Sequence, residues 1–62
     1  MYYTINRYFS AKVGKFNTAA AALIDRDERE GKGWEVYDQQ GNMWDWNFEG
    51  IPVITIWKEE DW

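Results

Sequence analysis

Hydrophobic and polar positions alternate with a period of two along most of this chain, and one stretch alone takes the helical period. From Met1 to Val13, Tyr3, Ile5, Phe9, Ala11 and Val13 hold odd positions, while Thr4, Asn6, Ser10 and Lys12 hold even ones. That alternation predicts a strand with one face toward a core. Arg7 interrupts the apolar side, so a β-bulge is expected near Asn6–Tyr8, where an extra residue re-aims the side chains that follow. A tight hairpin at the same place is the alternative, against which Asn-Arg is an unfavoured turn pair. Gly14 and Lys15 then read as a connection.

The helical stretch runs from Phe16 to Gly31, FNTAAAALIDRDEREG. Asn17 or Thr18 can cap it by accepting N–H groups of the first turn. Ala19 to Ala22 have the highest intrinsic helix propensity. Ala20, Leu23 and Ile24 fall at i, i+3 and i+4, a narrow apolar stripe suited to lying close against a sheet. Phe16 is placed to staple the first turn, and Gly31 to end the helix. In the second half, Asp25–Arg29 and Arg26–Glu30 are spaced as i,i+4 ion pairs.

Three strands follow. Trp34 to Tyr37 sets Trp34 and Val36 on one face and Glu35 and Tyr37 on the other. Asp38 to Asn42 reads as a type I turn with a bulge. Met43 to Phe48 aligns Trp44, Trp46 and Phe48. Glu49-Gly50 reads as a two-residue hairpin loop. Ile51 to Trp57 is apolar on both faces, and Pro52 belongs at its start or on an unpaired side. The expected fold is a single α+β domain over residues 1–62, β-α-β-β-β in order. One helix packs on a four-stranded, mostly antiparallel sheet. The first strand joins after a crossover, right-handed if the pairing is parallel. Ile5, Phe9, Val36 or Trp34, Ile54 and Ile56 are the expected core beneath the helix.

Composition removes several function classes. The chain has neither cysteine nor histidine, so disulfides, thiolate metal sites and Ser–His triads are excluded. Glu35 with Asp45 could form a carboxylate pair, but a domain of 62 residues has little room for the cleft a glycosidase requires. Asp25-Arg26-Asp27 begins like a calcium loop, yet Arg29 stands at the next ligand position and the required glycine and glutamate are out of place. No catalytic residue, metal or cofactor is expected, and the chain does not read as an enzyme. A net charge of −4 disfavours nucleic acid and anionic membranes. No apolar run approaches the roughly 20 residues of a membrane span, and the first ten residues lack a signal-peptide pattern. A cytoplasmic protein is expected.

Five Trp, four Tyr and three Phe are more than one helix can cover, and such residues are enriched at binding hot spots. The expectation is a protein–protein interaction module. The residues expected to meet the partner are the carboxylates Asp25, Asp27, Glu28, Glu30, Glu35, Asp38, Asp45, Glu59, Glu60 and Asp61, with the aromatics Tyr37, Trp57 and Trp62. Aromatics would supply affinity, and carboxylates the steering toward a basic surface.

This acidic layout, with an NTAAAALIDRDERE helix and GWEVYD and GNMWDW strands, resembles the small inhibitors encoded by bacteriophages, the anti-CRISPR proteins in particular. The resemblance lies in size, charge and layout over the whole chain, and no motif carries functional residues across. It implies a stoichiometric inhibitor that blocks the basic, nucleic-acid-binding surface of a larger protein or ribonucleoprotein complex. Several such inhibitors mimic DNA with spaced carboxylates, a role for which −4 is a modest charge. A structural or homo-oligomeric domain is the alternative, with the last strand and Trp57 forming a symmetric interface.

Overall fold

A computed structural model describes residues 1–8 and 11–56, with the backbone alone for 11–13. The elements are β1 (Tyr2–Asn6), β2 (Ala11–Phe16), α1 (Ala19–Glu28), β3 (Trp34–Asp38), β4 (Met43–Trp46) and β5 (Pro52–Ile56). The five strands form one antiparallel sheet in the order β2-β1-β3-β4-β5, with α1 packed on one face. The α+β class therefore holds, and the expected layout changes from four strands to five.

The extra strand comes from the hairpin that Asn-Arg argued against. The chain turns after Asn6 and returns as β2, pairing Thr4 with Val13 and Asn6 with Ala11. Asn6 itself supplies the turn chemistry, because its Oδ1 accepts the Tyr8 N–H at 2.9 Å. Side-chain acceptance of this kind stands in for a backbone turn bond. Arg7 N–H donates to the Gly33 carbonyl at 2.9 Å and continues the ladder with β3 past the strand end. Among the described residues no parallel pairing occurs: β2 and β3 both run antiparallel to β1, and α1 connects them across it.

The bulge expected near Asn6–Tyr8 gives way to this turn, and a bulge lies elsewhere, in β2. Three residues of β1, from Tyr2 to Thr4, oppose four of β2, from Phe16 back to Val13. Gly14 sits there at φ +74, so it and Lys15 belong to the strand. This left-handed glycine carries Phe16 onto the face of Tyr2, against the core. A Cβ at Gly14 would stand 2.6 Å from the Phe16 ring. Gly14→Ala is therefore expected to lose about 1–3 kcal/mol of stability through strain and collision. A urea titration reads this directly, and an unchanged midpoint would remove the bulge from the account.

Of the two candidate caps, Asn17 and Thr18, the helix starts at Thr18. Thr18 is extended at φ −130, and its hydroxyl accepts the Ala21 N–H at 3.1 Å. Its end comes earlier than the glycine. Arg29 is the C-cap, and Gly31 takes a left-handed conformation two residues beyond. The buried face is also rotated from the Ala20-Leu23-Ile24 stripe. Ala19, Ala22 and Leu23 are buried, whereas Ile24 is 52% exposed.

The sheet side of the core departs further from expectation. Ala22, Leu23 and Val36 are fully buried, ringed by Tyr2, Phe16, Trp44 and Trp46. The residues of β1 beneath the helix are the polar ones, Thr4 and Asn6, both buried. Thr4 Oγ1 donates to the Ala22 carbonyl at 3.3 Å, and Asn6 Nδ2 donates to the Lys32 carbonyl at 3.4 Å. An alanine-faced helix lies close to the sheet, so the strand below it has room for threonine and a use for its hydroxyl. Successive strand residues point to opposite faces, so Tyr3 and Ile5 are turned to the far side. Ile5 and Ile56, the latter 59% exposed, are thus not core residues. Phe9, Trp57 and the tail from 58 to 62 lie outside the described residues.

On β4, Trp44 and Trp46 share one face as expected, and it is the face that the helix covers. Phe48 does not: the strand ends at Trp46, and Phe48 is 98% exposed in the turn that follows. That turn is wider than Glu49-Gly50. Asn47 Oδ1 accepts the N–H groups of Glu49 and Ile51, and the Asn47 N–H donates to the Ile51 carbonyl. Pro52 lies at the start of β5, an edge strand, where a missing N–H is tolerated.

Candidate functional site

The far side of the sheet carries the candidate site. Cross-strand pairing aligns Tyr3 with Tyr37 and Tyr37 with Met43, which makes one lateral row over three strands, and the β4–β5 pairing shifts register just beyond it, between Met43 and Trp44. The next row begins with Ile5 opposite Glu35. Among the described residues no helix or strand lies over these side chains, since α1 occupies the other face. A shallow groove of about 690 Å³ runs here between Tyr3, Ile5, Arg7, Glu35 and Tyr37, ending at the turn from Asp38 to Gly41.

Glu35 is the charged centre of the groove. Tyr37 donates its hydroxyl to Glu35 Oε1 at 3.1 Å. Arg7 Nη1 stands 3.6 Å from Glu35 Oε2, with the arginine side chain 63% exposed and the glutamate side chain 20% exposed. Burial, the hydrogen bond to Glu35 and its negative charge together raise the Tyr37 hydroxyl above its ordinary value, against the opposing charge of Arg7. Tyr37 therefore stays protonated and remains a donor at neutral pH.

Of the residues expected at a partner surface, Glu35 and Tyr37 are brought together here, with Asp38 at the end of the groove. The others are dispersed, and several are engaged inside the fold. Asp25 accepts from Arg29 Nε at 2.8 Å. Asp45 accepts from Arg26 Nη1 at 2.7 Å. Asp27 accepts from Arg26 and from the Trp46 indole N–H, each through a different oxygen. Asp38 organises the β3–β4 turn, accepting from the Gln40 and Asn42 N–H groups, from Asn42 Nδ2 and from Trp44 Nε1. Glu28 and Glu30 are exposed. Trp57, Glu59, Glu60, Asp61 and Trp62 lie outside the described residues.

The acidic half of the helix thus serves to latch helix to sheet. The Arg26–Glu30 pair expected from spacing gives way to Arg26 bridging Asp27 and Asp45. Trp34 completes the latch: its indole N–H donates to the Glu30 carbonyl at 3.0 Å, and Arg29 lies 4.8 Å above its ring. This cation–π contact and carbonyl bond satisfy the helix end that the acidic residues leave electrostatically disfavoured. The titration behaviour agrees. Burial pushes the Asp27 carboxyl upward, but bonds from Arg26 and Trp46 outweigh it and hold it below its ordinary value. At Arg26 burial opposes the charge, and the bonds to Asp45 and Asp27 prevail and raise it.

Tyr3, Ile5 and Arg7 were not among the residues expected at the site. The signal was present as the interruption at Arg7. An arginine in phase with Tyr3 and Ile5 marks a face that meets solvent, since a buried unpaired charge is heavily penalised. Among the described residues no group of three or more acidic side chains stands close enough to hold a metal ion. No helix there is long and apolar enough to cross a membrane. No protein-family model matches this chain, and no curated protein or solved structure is similar to it at a significant level.

Proposed function

We propose that this protein is a small interaction module that binds a larger protein through the uncovered face of its sheet. The row Tyr3–Tyr37–Met43, flanked by Ile5 and the groove at Glu35, is the observation that carries the reading. Contiguous aromatic and apolar side chains on an uncovered face are the usual mark of a contact surface. The net charge of −4 supports a basic partner. The finer reading is a stoichiometric inhibitor of the anti-CRISPR type that occupies a nucleic-acid-binding surface. It is supported by size and charge. Steering by the whole acidic chain, with affinity from the aromatic row, suits the geometry better than point-by-point phosphate mimicry, because Asp25, Asp27, Asp38 and Asp45 are engaged internally.

Affinity capture from a bacterial lysate containing CRISPR effector complexes tests this reading. The full chain is used as bait beside a Tyr3→Ser/Tyr37→Ser variant whose fold is checked by circular dichroism. Stoichiometric recovery of a nucleic-acid-binding complex by the parent chain, released by high salt and lost in the variant, is the expected result. Equal recovery by both chains removes the sheet face from the reading, and recovery of bait alone removes the inhibitor for those hosts.

Self-association is a second reading with its own observation. Among the described residues β5 is an edge strand, and Ile51 just before it and Ile56 at its end are both more than half exposed. Unpaired apolar edges invite strand pairing between copies. Sedimentation equilibrium over a hundredfold concentration range separates the two, since a module for a foreign partner stays at its monomer mass of 7.5 kDa.

A further inference from the structure

We infer that the groove at Glu35 seats an arginine side chain of the partner, and that Arg7 is the internal cation it displaces. The inference rests on the interaction-module reading and names the chemistry at the centre of that surface.

Glu35 offers one oxygen already oriented and one incompletely used. Tyr37 holds Oε1 through its hydroxyl. Oε2 faces Arg7 Nη1 at 3.6 Å, an ion-pair distance too long for a hydrogen bond. Arg7 therefore neutralises the carboxylate through space and makes no directed bond to it, while most of its side chain remains in water. A second guanidinium entering the groove gains the charge-assisted bond that Arg7 does not make.

The walls favour a planar cation. Tyr3 and Tyr37 are cross-strand partners and line the same groove as Ile5 and Glu35. Tyrosine rings attract a guanidinium through their faces, and arginine stacks there more readily than lysine. Because the Glu35 side chain is only 20% exposed, its charge is less screened than that of an exposed carboxylate such as Glu28, and contact with it is stronger. A phosphate or carboxylate ligand is repelled by the same group. The acidic chain as a whole draws a basic segment toward this face.

The test is an amide NMR titration of the full chain with acetyl-Gly-Ser-Arg-Ser-Gly-amide, set against the same peptide with citrulline, which keeps the shape and loses the charge. The arginine peptide is expected to shift the amides of Tyr3, Ile5, Glu35 and Tyr37, and the citrulline peptide to leave them in place. Glu35→Gln is expected to weaken arginine-peptide binding about fivefold, the combined scale of a partly screened ion pair and a cation–π contact. Arg7→Gln is expected to strengthen it about twofold or more, since a competitor is removed. Tyr37→Phe, which deletes only the hydroxyl, is expected to weaken it by a smaller factor and serves if Glu35→Gln does not fold. Equal shifts with citrulline, loss of binding in Arg7→Gln, shifts confined to Glu28 and Glu30, or no shifts at millimolar peptide would each overturn the arginine seat. The capture experiment reads the whole face and does not depend on this outcome, so the two readings fail separately.

Discussion

Leu23→Ala is expected to leave the domain substantially unfolded at 25 °C, while Ile24→Ala leaves it essentially intact. Leu23 is completely buried between Ala22 and Val36, with Trp44 and Trp46 packed around them. Removing a fully buried leucine side chain destabilises by about 2–5 kcal/mol, through lost transfer energy and the cavity left behind. A core of this size rarely supplies more than about 3–5 kcal/mol in total. The neighbouring alanines cannot collapse to fill the space, and the helix is held close to the sheet by the Thr4 hydroxyl. Ile24, one residue along, is 52% exposed, and its truncation falls within the roughly ±0.5 kcal/mol typical of surface positions. Thermal melts of the two variants decide between the observed helix face and the stripe read from spacing. Equal losses would mean that the helix lies rotated from the orientation described.

Asp38→Ala is expected to lose about 2 kcal/mol or more at neutral pH, the scale for hydrogen bonds to a charged acceptor whose donors are left unsatisfied. Four donors converge on this carboxylate: two backbone N–H groups of the β3–β4 turn, the Asn42 side chain and the Trp44 indole. The residue therefore joins turn geometry to a core tryptophan, which itself meets Tyr2 edge to face at 5.3 Å between ring centroids. Burial favours the neutral acid, but the bonds from Trp44, Asn42 and Gln40 prevail and lower the carboxyl below its ordinary value of 3.8. The sign of the pH dependence follows. A group lowered in the folded state contributes fully above its unfolded value, and that contribution disappears as pH falls through the folded one. The parent chain should lose stability below about pH 4, and Asp38→Ala should show a flatter acid limb. Asp27, lowered in the same sense, leaves some acid sensitivity in the variant. Urea midpoints at pH 7 and pH 3 give both quantities. An unchanged acid limb in the variant would place the sensitivity elsewhere.

The partition of carboxylates bears on function. A chain of net charge −4 invites a search for an acidic docking surface on the helix. The helix acids instead divide into Asp25 and Asp27, committed to arginines and an indole, and the exposed Glu28 and Glu30. Glu35 is distinctive among the expected residues because it lies in a groove, beside tyrosines, with a cation nearby at ion-pair distance. Exposed charges interact weakly in water, and a partly enclosed one interacts more strongly. On the proposed reading, the sheet face that is open among the described residues is therefore a better place for specificity than the helix.

The residues alone determined the α+β class, the helix with its Thr18 cap, the β3–β4 turn and the partition of Val36 from Glu35 and Tyr37. Each depends on neighbours within a few positions, where propensity, capping and period-2 alternation act directly. Tertiary structure decided the hairpin at Asn6–Tyr8, the orientation of β1 and the face of the helix. In β1 the odd positions are the more apolar, yet the even ones are buried. The register that pairs Thr4 with Val36 and Asn6 with Trp34 places them under the helix. The polar pair is accepted there because Thr4 and Asn6 find carbonyls of Ala22 and Lys32, distant in sequence. A buried polar side chain is tolerated when bonded, and no local pattern reveals whether a partner arrives from eighteen or twenty-six residues away. For the same reason Tyr3, Ile5 and Arg7, read along the chain as a core strand with one flaw, become one wall of an open groove.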